Sequence, residues 1–154
     1  MYYAIVAALM FAFPLASIAI EPWHAGAGMS AALVAKWFTF WSVGWRLFLA
    51  GARQVLQPAY TAKVILGLES EECLLLVREL GFANLSLGIV GIASLFVPSW
   101  QLAVALAGGI FYALAGINHV LQQHRGRLEN IAMLSDLFVA VVLLLACAGV
   151  VLGR

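Results

Sequence analysis

Four charged or titratable side chains, Arg46, Arg53, His119 and Asp136, fall within stretches that are otherwise apolar enough for a membrane. A charge near the centre of a spanning helix costs about 2.5–3.5 kcal/mol on insertion scales, so neighbours or a ligand must offset it. On the second apolar segment, Ser42, Arg46, Arg53 and Gln57 recur at helical spacing and form one polar stripe. On the fourth, Tyr112, Gly116, His119 and Gln123 share a face, with Asn118 and Gln122 beside them. On the last, Glu129 and Asp136 stand two turns apart, with Asn130 next to the former.

A guanidinium keeps its proton in any such setting, so a deep arginine needs an anion, a carbonyl or a water. Arg53, His119 and Asp136 fall at one level near the end of their segments and can satisfy one another. An Arg53–Asp136 pair that only fixes helix register is the structural reading of that level. Arg46 lies deeper, with Asp136 or Glu79 only at long reach. Two arginines against one deep acid leave a positive pocket, so Arg46, Arg53, Tyr112, His119 and Asp136 form the expected ligand-binding set. A quinone carbonyl, a lipid headgroup or another anion would suit it. Glu79, Asn84, Gly88, Asn118, Gln122 and Asn130 are assigned to helix packing and a polar network.

His119 could transfer a proton, ligate a haem or pack as a hydrogen-bonded side chain. A haem needs a second histidine at matching depth on another helix. His24 is placed in an outer loop and His124 at the same helix end, so haem within one chain is not expected, although a homodimer could pair two copies of His119. Trp37, Trp41 and Trp45 repeat every four residues. They read either as an aromatic belt facing lipid or as a flat wall for a quinone ring.

The elements that must hold these groups are set by composition. The chain has 154 residues, 65% hydrophobic and 10% charged, and a mean hydropathy of +1.04. Soluble domains are near 45–50% apolar and about 25% charged, so this is a single all-α transmembrane bundle. A net charge of +1 without a Lys/Arg run gives no footprint for nucleic acid. Cys73 and Cys147 have no metal-type spacing. No GxSxG, P-loop, GxGxxG or HExxH pattern occurs, so no catalytic residue or metal ligand is named.

Crossing the hydrocarbon takes about 20 apolar residues. Five spans are expected, at about 2–20, 36–57, 78–97, 100–122 and 131–152. The first lacks the basic flank of a signal peptide and is read as a true span kinked at Pro14. Residues 21–32 are expected to form a loop and 59–69 to leave the membrane. Ser70-Glu71-Glu72 should start a helix reaching Val97, followed by a hairpin at Pro98-Ser99. Lys63, Arg78, Arg125 and Arg127 share one side, against Lys36 and Arg154 on the other. That bias places the N-terminus in the cytoplasm and the C-terminus outside.

The run Glu79-Leu80-Gly81-Phe82-Ala83-Asn84-Leu85-Ser86-Leu87-Gly88-Ile89-Val90-Gly91 resembles the signature helix of a family of small bacterial membrane proteins of uncharacterised function, loosely similar to the DoxX type. That family then carries a His late in the next helix and an Asn followed by an Asp entering the last, here His119, Asn130 and Asp136. The resemblance spans about residues 37–150. It implies a bacterial inner-membrane location and a role on the quinone side of redox chemistry. The family's His-rich second helix is replaced here by Arg46 and Arg53, which weakens any metal or haem role. Beyond the bilayer itself, the expected partners are other membrane subunits, with the chain as an accessory subunit, or further copies of the chain. A proton path through Asp136 and His119 is a further alternative, shortened by the lack of an acid to continue it.

Overall fold

The computed structural model describes residues 2–25, 28–123 and 126–153, without the side chains of 22–25. His124, Arg125 and Arg154 therefore lie outside the described residues, as does the side chain of His24. All regular structure among the described residues is helical.

The first rod, α1, covers residues 2–25. It begins as an α-helix over Tyr2–Ala7, widens to a π-helical turn over Ala8–Ala12 and returns to α over Phe13–Ala25. The expected kink at Pro14 takes this form. Proline cannot donate to the carbonyl one turn back and its ring crowds that turn, so the helix widens just ahead of it. The loop expected at 21–32 is shorter than its composition suggests, because the helix continues to Ala25. Ser30 then caps the next helix, its side chain accepting from the Leu33 N–H at 3.2 Å.

The second rod, α2, covers residues 31–56 without a break, as Ala31–Phe38, a π-helical Thr39–Trp45 and Arg46–Leu56. It starts five residues earlier than expected. A short π-helical segment, Tyr60–Ile65, folds back after it. The remaining helices are α3 (Cys73–Ala93), α4 (Gln101–Leu121) and α5 (Arg127–Leu152). The third is shorter than the run to Val97 read from sequence. Glu71 lies in the turn before it and pairs with Lys63 at 2.6 Å, and a 3₁₀ turn at Pro98–Trp100 makes the hairpin to α4.

Among the described residues four helices are long and apolar enough to cross a membrane: Tyr2–Glu21, Cys73–Ala93, Pro98–Leu121 and Arg127–Leu152. The second rod has the length, 26 residues by its three segments. It is not among the four, and it carries Lys36, Arg46 and Arg53.

Glycines let α2 and α3 meet backbone to backbone. A Cβ on Gly88 would fall 2.4 Å from the Phe48 nitrogen, and one on Gly91 would fall 2.7 Å from Gly44 Cα. Gly81, Gly88 and Gly91 thus make a small-residue face toward α2, and close approach of this kind drives helix association where lipid competes for apolar contact. Opposite it, α4 lies along α5, with Gly116 seated against Leu137. The core between the pairs holds Met10, Val43, Tyr112, Val139 and Leu143, each at most 1% exposed.

Candidate functional site

Five helices in alternating direction bring the start of α1, the end of α2, the start of α3, the end of α4 and the start of α5 to one end of the bundle. There, Arg46, Arg53, Tyr112, His119 and Asp136 line a single cavity of about 200 Å³. Asn84 lines it too, and so do three residues that sequence spacing does not single out: Tyr2, Gln54 and Tyr60.

The pairing inside differs from the expected Arg53–Asp136 contact. Among the described residues no ion pair joins those two; Arg53 instead lies over the Tyr60 ring, 3.5 Å from its centroid. The electrostatic neighbours of Arg46 are Tyr112, Tyr2 and Asp136, and those of Asp136 are Arg46 and then His119. Arg46 therefore does have an acid within electrostatic range, and Asp136 belongs to it. The guanidinium also sits 5.8 Å from the Tyr2 ring centroid. His119 places Nδ1 at 3.0 Å from Glu129 Oε1, and that glutamate is 2% exposed. Helical spacing marks Glu129 only as a neighbour of Asp136 on the same face, too far along the helix to suggest this partner.

A hydrogen bond joins the π-helical segments of α1 and α2. Ser42, buried in the α2 π segment, donates from Oγ to the Leu9 carbonyl in the α1 π segment at 3.2 Å. Its own carbonyl accepts from the Tyr112 hydroxyl. That bond locks Tyr112 against α2 beside Arg46. Asn84 donates from Nδ2 to Gln54 Oε1 at 2.7 Å across the α2–α3 seam.

The cavity keeps polar atoms without partners. The Nε atoms of Arg46 and Arg53 and the Oδ1 of Asn84 are buried and make no hydrogen bond. Buried polar atoms normally find a partner, so an orphaned set converging on one hollow marks a place for a bound molecule or water. The hollow also reaches the outside of the bundle, since Leu49 and Leu80 line it and are 41% and 40% exposed.

The remaining assignments divide. Asn84 and Gly88 lie in the α2–α3 seam. Glu79 and Asn118 lie on the outer surface, away from the cavity, and Gln122 and Asn130 are half-buried near the same end. The tryptophans of the stripe are half-buried and stand apart from the cavity. Trp37 donates to Glu21 at 2.6 Å and Trp41 to Ser17 Oγ at 3.0 Å, so these rings dock α1 on α2 and form no wall of the cavity.

Residues 1–152 match the model of a family of unknown function, DUF6790. The chain belongs to that family. The DUF6790 match takes in the first helix, which the resemblance over 37–150 leaves out, and it carries no link to DoxX-type proteins or to bacteria. No curated protein and no solved structure matches this DUF6790 chain.

Proposed function

We propose that this DUF6790 chain is a five-span membrane protein whose cavity binds the headgroup of a membrane-soluble amphiphile, a quinone or a lipid. What carries the reading is the convergence of Arg46, Arg53, Tyr112, His119 and Asp136 on one hollow that keeps buried, unpartnered arginine atoms. The volume suits a headgroup, not a whole lipid: sites for complete drug-sized ligands run to about 300–1,000 Å³. In this reading α2 is the fifth span, its charges offset within the bundle. The cavity end, with the N-terminus and the segments around 59–79 and 123–130, faces the cytoplasm, and the C-terminus lies outside.

The test is purification in mild detergent with mass spectrometry of co-extracted small molecules, followed by melting curves with added quinone or lipid. A retained amphiphile and a raised melting temperature are expected. A clean protein that no amphiphile stabilises would rule the reading out.

A second reading, an accessory subunit of a larger membrane complex, draws on Glu79 and Asn118, which face outward from apolar helices. It predicts co-purification with other chains, and recovery as a free monomer or homo-oligomer alone would count against it.

A further inference from the structure

Charge, orientation and access narrow the ligand class. Among the side chains lining the cavity, the fixed charges are two guanidiniums and one carboxylate, Asp136. Glu129 is held on His119 and does not line the hollow. A neutral quinone would leave one guanidinium uncompensated in a low-dielectric site, where an unpaired charge is costly. A singly charged oxyanion balances it.

The aromatic rings point the same way. Tyr2 and Tyr60 could have formed a cage for a headgroup cation, but the two arginines already sit on their faces, at 5.8 and 3.5 Å. A guanidinium over a ring face keeps its N–H donors in its own plane, clear of the ring, where they can meet a planar or tetrahedral oxyanion. Arg46 and Arg53 are two turns apart on α2, about 10 Å along the axis, and their side chains meet in one hollow with both Nε atoms unpartnered.

Access is apolar. Leu49 on α2 and Leu80 on α3 line the hollow and are 41% and 40% exposed, and Ile65 and Leu66 from the segment between these helices line it too. These are surfaces for an acyl chain.

We infer that the cavity takes a singly charged oxyanion carried on an acyl chain, a phosphodiester lipid or a fatty-acid carboxylate, held between Arg46 and Arg53 with its chain leaving past Leu49 and Leu80. The inference rests on the binding function proposed above and names its ligand class.

The test uses the full chain in dodecyl maltoside, with thermal stability and native mass spectrometry as readouts. Oleate is set against methyl oleate, dioleoyl phosphatidylglycerol against dioleoyl phosphatidylcholine, and both series against decylubiquinone and glycerol phosphate. The charged amphiphiles should raise the melting temperature and be retained, with the phosphatidylglycerol and oleate arms telling phosphodiester from carboxylate. Arg46→Gln should weaken apparent affinity about tenfold or more. Asp136→Asn should strengthen it, and this second variant serves if the first does not fold. Methyl oleate or decylubiquinone stabilising as well as oleate would overturn the oxyanion inference while leaving headgroup binding in place. Glycerol phosphate matching phosphatidylglycerol would overturn the requirement for an acyl chain. Failure of every amphiphile would remove both readings.

Discussion

The two ends of α2 treat charge in opposite ways. Near its start, Lys36 meets both carboxylate oxygens of Glu21 at 2.7 Å, and Trp37 donates to the same group. Nothing is left to satisfy there, and the cluster does one thing: it ties α1 to α2. Toward its other end, Arg46 and Arg53 lie over tyrosine rings, Asp136 faces Arg46, and the Nε atoms of both arginines keep no partner. One helix thus carries a closed latch and an open site, and the difference lies in whether the donors are used up. Charge inside an apolar helix is therefore a poor guide to function until its partners are counted.

The comparison can be broken most severely at the seam that seats both ends. Gly88→Val puts a side chain where a Cβ already falls 2.4 Å from the Phe48 backbone. It should cost about 3 kcal/mol, the upper range for overpacking, and thermal unfolding should show latch and cavity lost together. Arg46→Ala should spare the latch but weaken binding of an anionic amphiphile about 10- to 100-fold, as loss of a charged hydrogen bond predicts; Lys36→Met, measured by the same titration, should leave binding unchanged. Equal losses in the two variants would erase the distinction between the ends. Tyr112→Phe removes the hydroxyl that bonds the Ser42 carbonyl and should lower stability by about 1 kcal/mol, read as a melting shift with the ligand-induced increment reduced. The smallest effect is expected from Glu21→Gln. Its pair with Lys36 is a quarter to a third exposed, so about 1 kcal/mol or less is at stake, and ligand-induced stabilisation should persist.

The residues of the cavity were legible largely because polar groups stand out against an apolar chain. Arg46, Arg53, Tyr112, His119 and Asp136 needed only helical spacing to be placed on inward faces. Their pairing was less legible. A π-helical turn takes in an extra residue and so rotates the helix beyond it. Three such turns, at Ala8–Ala12, Thr39–Trp45 and Tyr60–Ile65, carry no composition that announces them. Depth alone put Asp136 beside Arg53, whereas its charged neighbours in the fold are Arg46 and then His119. Tyr2 and Tyr60 escaped notice because a tyrosine near a helix end reads as an interfacial anchor. For the tryptophans, only the partners on α1 reveal that the Trp37 and Trp41 N–H groups dock that helix. Helix ends at Leu121 and Leu152 were legible within a residue, whereas the loop expected from residue 21 begins only after Ala25.

The latch between α1 and α2 has a consequence for how the chain is made. Three basic residues make residues 31–56 a poor candidate to enter lipid alone as they leave the ribosome, at about 2.5–3.5 kcal/mol for a basic residue near the centre. The preceding helix, emerging first, already carries the carboxylate that neutralises Lys36 and the hydroxyl that receives Trp41. On the five-span reading proposed above, insertion of the second segment depends on the first remaining beside it, and the two enter the bilayer as a hairpin. The order of synthesis thus favours Lys36, whereas Arg46 meets its acid, Asp136, only when the last helix arrives.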